Sequence, residues 1–159
     1  MSTSLAKQRT LQTGEQQFAT FYVGDLLLGV DIRHVQEINR QLDVTPVPNA
    51  PAHVRGVINL RGEVATVIDL RTVLNLPKTD ATPTTRNLIV HSQDESIGLW
   101  VDSIGDILTV NQDDIAHPPA NVDGVDGRFF RGVHTMETVI VVLLDVEQVL
   151  NDQEGQAAN

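Results

Sequence analysis

Two parts of this 159-residue chain repeat one another, and the repeat limits the folds open to it. At a shift of 69 residues, Gly29 falls on Gly98, Val30 on Leu99, Ile32 on Val101, Val35 on Ile104, Glu37 on Asp106 and Ile38 on Ile107. Further along, a shift of 76 carries Gly56 to Gly132, Val57 to Val133, Leu60 to Met136, Val64 to Ile140, Asp69 to Asp145, Val73 to Val149 and Leu74 to Leu150. The two shifts differ by seven, which places an insertion in the proline- and glycine-rich loop His117 to Gly127. Two copies are too few for a solenoid. They describe two similar small all-β units. Units of that size bury little core alone, so they are expected to pack on or interleave with each other.

Each copy is written mainly in strands. Phe18 to Val23 is rich in aromatic and β-branched residues, and Gly24-Asp25 turns it into Leu26 to Val30. Ile32, Val35 and Ile38 follow at spacings of three, as in a short helical turn or an irregular segment facing a core. Thr45 to Pro51 cannot be a central strand, because its prolines lack the donor a ladder needs. Gly56 to Leu70 reads as two strands around a tight Arg61-Gly62 turn, with the glycine supplying a positive φ. Asp69 then caps a short helix, Leu70 to Leu76, that stops before Pro77. Lys78 to Thr85 is a linker, and Leu88 to Val101 repeats the opening strand–turn–strand. Residues 1–16 and 151–159 are polar and aperiodic and read as frayed, disordered tails. The folded part is then 17–150, with one unit at roughly 17–80 and the other at roughly 86–150.

Chemistry that the chain lacks narrows the function. It has no cysteine, which removes disulfides, iron–sulfur clusters and thiolate zinc sites. Its formal charge of −10 repels phosphate, so neither nucleic acid nor an anionic membrane is an expected partner. The longest aliphatic run, Val139 to Leu144, is far short of the ~20 residues a membrane helix needs. The opening residues lack a secretory signal's apolar core, so the chain reads as soluble and cytoplasmic, with no direct membrane insertion. His34, His53, His91, His117 and His134 lie far apart, without metal-ligand spacing. No phosphate-binding glycine motif or nucleophile elbow occurs. Asn121 to Gly127 resembles a calcium loop but carries Val125 where a ligand belongs, and a plain turn explains it better. Asp69 and Asp145 could form a carboxylate pair in a small hydrolase only if they converge to about 5–9.5 Å. Their equivalent places in the two copies favour helix caps. No metal, cofactor or catalytic residue is expected, and the chain reads as a non-enzyme.

The stretch Gly56-Val-Ile-Asn-Leu-Arg-Gly-Glu-Val-Ala-Thr-Val-Ile-Asp-Leu-Arg71 resembles the CheW family of chemotaxis coupling proteins. Gly29 to Ile38, Thr45-Pro-Val-Pro48, Gly98-Leu-Trp-Val-Asp102 and Val141 to Leu150 carry the same likeness, so that it spans about residues 17–150. The resemblance implies a mainly β fold of two intertwined five-stranded SH3-like barrels with short helices. It implies an adaptor that bridges the helical tips of methyl-accepting chemoreceptors to the regulatory domain of the histidine kinase CheA, monomeric alone and assembled in arrays. The same module could serve surface motility or another output.

By resemblance, a receptor-binding groove falls at Ile32 and Val35, with Val101 and Ile104 at the repeat-equivalent positions and Glu37 on the rim. An amphipathic helical hairpin would lay its apolar stripe there. Each of the four apolar residues could equally be ordinary core, and Glu37 a solvated acid. The kinase contact is implied around Gly56, Arg61 and Gly62. Arg61 could hold a partner's carboxylate or brace the two units. The glycines more readily serve backbone conformation. The second copy has Met136-Glu137-Thr138 at its hairpin, so first-copy roles are not carried over to it.

Overall fold

A computed structural model of the chain describes residues 14–157, with side chains through 151. The expectation for residues 1–13 lies outside the described residues. Twelve strands and two short α-helices follow the repeat closely. The first copy runs β1 (Glu15–Val23), β2 (Leu26–Asp31), β3 (Val35–Asn39), β4 (Val54–Leu60), β5 (Glu63–Asp69) and α1 (Leu70–Val73). The second runs β6 (Arg86–Ser92), β7 (Glu95–Val101), β8 (Ser103–Asn111), the two-residue strands β9 (Asn121–Val122) and β10 (Val125–Asp126), β11 (Phe130–Met136), β12 (Val139–Leu144) and α2 (Val146–Ala157).

The two copies exchange their first hairpins. One five-stranded sheet has the order β11-β12-β2-β1-β8, and the other the order β4-β5-β7-β6-β3. Each is built from a hairpin of one copy and three strands of the other. The registers repeat too. Val67 of β5 lies beside Gly98 of β7 in parallel, and the equivalent Leu143 of β12 lies beside Gly29 of β2. A bulge between Val54 and Gly56 recurs between Phe130 and Gly132.

Strand alternation sorts the core into three parts. Val67 points into a cluster with Ile58, Leu60, Ala65, Ile89 and Trp100, whereas Ile68 points to the opposite face. There Ile68 joins a large central cluster shared by both sheets, which includes Phe21, Leu28, Leu70, Leu88, Leu99, Phe129 and Val142. The first sheet has its own cluster of Phe18, Val110, Val141 and Leu143. The aliphatic run Val139 to Leu144 is thus a strand covered on both faces over its last four residues.

Four local differences from the sequence reading have simple causes. α1 ends at Val73 and not at Leu76, because Asn75 turns left-handed with φ 63°. Ile32–His34 form one 3-10 turn, capped by the Asp31 side chain, before Val35 enters a strand. β1 begins at Glu15, and the backbone of α2 continues to Ala157, so strand and helix reach into both expected tails. Isolated bridges pair Thr45 with Val57 and Ala116 with Val133. Thr45 and Ala116 lie 71 apart, so two of the seven inserted residues precede Ala116 and only five fall in the following loop with β9 and β10.

Candidate interaction site

Gly56 has backbone packed against it where a side chain would stand. A Cβ there would lie 2.3 Å from the Thr45 carbonyl oxygen, and Thr45 exchanges two 2.9 Å backbone hydrogen bonds with Val57. No side chain fits, so Gly56 seals the segment after β3 onto β4. Gly132 does the same in the second copy, where a Cβ would meet Ile115 at 2.4 Å. The hairpin beyond is a two-residue turn with φ 50° at Arg61 and 95° at Gly62. The Asn59 side chain accepts the Gly62 amide at 2.8 Å. In the second copy the equivalent turn also has two residues, but only Glu137, at φ 47°, is left-handed and Thr138 is not, so the turn differs at its second position and the tip charge is reversed.

Arg61 does not reach out from that tip. Its guanidinium pairs with Glu37 on β3, which also accepts the Asn39 amide at 3.1 Å. The Arg61 hydrogen bond, helped by Asn39, holds the Glu37 carboxyl below its usual range. One residue expected at the kinase contact and one expected on the receptor rim are therefore bonded partners within a single sheet. The brace closes β3 toward the β4–β5 hairpin and does not tie one unit to the other.

The expected groove residues divide. Ile32, Val35 and Ile104 are half-buried, and Val35 and Ile104 rest on the central cluster from opposite sheets. Val101 is completely buried in that cluster and offers no surface. Its equivalence to Ile32 breaks because β7 passes into β8 through the single residue Asp102, whereas β2 turns through Ile32–His34. Two cavities of about 530 Å³ and 250 Å³, both lined by Pro51 and His53, lie elsewhere. Neither Val35 nor Ile104 lines either of these cavities.

Three clamps that the sequence reading missed hold the exchanged hairpins. Arg55 on β4 stacks 4.0 Å from the Trp100 ring on β7, pairs with the buried Asp69 at 3.1 Å and donates to the Thr79 carbonyl at 2.9 Å. Its repeat equivalent Arg131 lies 5.5 Å from the Phe18 ring, 3.6 Å from Asp31 and 2.8 Å from Gln16. The shift of 76 pairs these arginines and was the available signal. The third clamp is Asp102, which accepts from Arg71 at 2.6 and 3.1 Å and from the Gly24 amide at 2.7 Å. Burial raises the Asp102 carboxyl, but Arg71 and the Gly24 amide outweigh it and bring it below the usual range.

Catalytic readings gain no geometry. Asp69 accepts the Arg71 amide at the start of α1, and Asp145 accepts the Gln148 amide at the start of α2, so each caps its own helix. Asn121 accepts the Gly124 amide in the β9–β10 turn. No group of three potential metal ligands gathers among the described residues, and no helix there is long and apolar enough to cross a membrane.

Against known proteins, the family model for the CheW-like domain matches residues 17–154. Chemotaxis protein CheW of Rhizobium meliloti is 38% identical over 158 residues, covering 98% of this chain and 99% of that protein. Protein FrzA of Myxococcus xanthus is 35% identical over 109 residues, covering 69% and 68%. Among solved structures, the scaffolding protein TtCheW from Thermoanaerobacter tengcongensis superposes with a TM-score of 0.76 at 26% identity, covering 82% of this chain and 88% of that one. A mostly β pair of five-stranded sheets, a repeat with exchanged hairpins and these matches agree: the chain belongs to the CheW-like domain family.

Proposed function

We propose that this chain is a non-catalytic chemotaxis scaffold of the cytoplasm that couples methyl-accepting chemoreceptors to the histidine kinase CheA. The observation that carries the reading is the near-complete match to the Rhizobium meliloti protein named for chemotaxis, together with a structural relative titled a scaffold. On this reading the receptor's helical hairpin lies against Val35, Ile32 and Ile104, with Val101 supporting them from the core and Glu37 at the edge. The kinase's regulatory domain meets the β4–β5 hairpin around Gly56, Arg61 and Gly62. The glycines act there by holding the backbone.

The Arg61–Glu37 pair gives this assignment a physical content that two separate faces would lack. A partner drawing Arg61 away releases Glu37 on β3, so the two contacts share one ion pair and can influence each other. A binding assay with a receptor-tip fragment and, separately, the kinase regulatory domain tests the placement. Val35→Lys should reduce receptor-fragment binding alone, while Arg61→Ala should alter both. If folded Val35→Lys binds the receptor fragment at full strength, the groove is misplaced.

The match to Protein FrzA, which does not carry the chemotaxis name, favours a second reading in which the same coupler serves surface motility or another output. Identification of the receptors and kinase that co-purify with the chain separates the two.

A further inference from the structure

The topology makes each half of the chain the other's folding partner. Four of the eight strand pairings in the two large sheets join a first-copy strand to a second-copy strand: β1 with β8, β2 with β12, β3 with β6 and β5 with β7. The central core cluster takes ten buried residues from before the linker and eleven from after it. All three clamps also cross the divide, Arg55 onto Trp100, Arg131 onto Phe18 and Asp31, and Arg71 onto Asp102. In this arrangement neither five-stranded sheet is built from the residues of one half alone.

The linker contributes little beside this. Residues 77–81 form no regular structure and 77–84 are exposed. Their ends are pinned separately, with Arg71 donating to the Pro77 carbonyl at 2.9 Å and Arg55 to that of Thr79 at 2.9 Å. A break between residues 78 and 79 would leave both pins in place.

We propose that residues 14–77 and 86–151 are two mutually binding modules whose association does not depend on the peptide link between them. The surface each presents is an open three-strand set with an unfilled apolar face, and the partner it fits is the donated hairpin of the other copy. In the intact chain the link only supplies a high effective concentration. The corollary is that the half from a second chain can take the same place, as in domain swapping.

The protein itself carries the means to test this, since its only lysines are Lys7 and Lys78. A lysine-specific protease therefore has one cutting site among the described residues, in the linker. Lys78→Gln, cut at Lys7 only, is the control. After complete cleavage, denaturing electrophoresis should show two large fragments, 8–78 and 79–159, besides the short peptide 1–7, while native mass and size-exclusion volume show both large fragments in one particle with unchanged far-ultraviolet circular dichroism. The melting temperature of the cut protein should rise with protein concentration, as for a two-component complex, and that of the control should not. Should Lys78 resist the protease, Asp80→Lys provides a second cutting site in the same segment. Fragments that separate on the native column, or a lost β signal, would overturn the proposal.

Discussion

Arg55 is where the strand exchange can be weighed most sharply, because its repeat equivalent supplies an internal control. Arg55 pairs with Asp69, whose side chain is fully buried, and stacks on Trp100 from the donated hairpin. Truncation to alanine strands a buried carboxylate, which costs about 3–5 kcal/mol where no other donor serves it. Asp69 keeps the Arg71 amide at 3.0 Å, which places the ion-pair part near the low end of that range. Loss of the stack adds about 0.5–2 kcal/mol. Arg55→Ala should therefore cost roughly 3–5 kcal/mol in all. Arg131→Ala should cost only about 1 kcal/mol, since its ion pair is looser at 3.6 Å and its ring contact longer at 5.5 Å. Urea unfolding followed by circular dichroism, with the fluorescence of the single Trp100 as a second probe, measures both. Equal losses for the two arginines would refute the argument, because the repeat would then dictate the energetics regardless of burial and distance.

Further outcomes follow from the same geometry. Val35→Lys should weaken receptor-fragment binding by about 2 kcal/mol or more, read by titration of protein whose melt shows it folded. Glu37 and Arg61 should show a stability coupling of only about 0.2–1 kcal/mol in a double-mutant cycle, because the Arg61 side chain is 72% exposed. Gly56→Ala should cost well over 1 kcal/mol through collision with the Thr45 carbonyl, while Gly62→Ala, with open space around it, should cost about 1 kcal/mol from its backbone angle alone, both by denaturant titration. Burial holds the His53 imidazole below its usual range, so the unfolded chain takes up the proton first as pH falls. Stability should then drop as pH decreases below about 6.5, and His53→Phe, copying its repeat equivalent Phe129, should flatten that part of the profile.

The sequence revealed local structure well because local structure here depends on neighbours. Asp69 and Asp145 marked the same helix cap, and Arg61-Gly62 its two-residue turn, each from residues a few positions apart. The resemblance carried the exchange of hairpins, which the repeat alone could not. Equal copies present equal faces, so β2 pairs as well with β12 as with β5 in any pattern of apolar residues. Long-range side-chain choices were also hidden. Val101 looked equivalent to Ile32 until the single-residue junction at Asp102 drew it into the core. Arg61 could meet a partner or brace the chain, and only the closing of β3 toward the hairpin brings Glu37 to it.

Coupling itself is tested most directly by co-sedimentation of three components: receptor-bearing membranes, the CheA kinase from the same source and this chain. The account predicts that the kinase enters the pellet only when the chain is added, and that Val35→Lys and Arg61→Ala each reduce its recovery. Kinase recovery that is the same with and without the folded chain would contradict the assignment of this protein as the bridge.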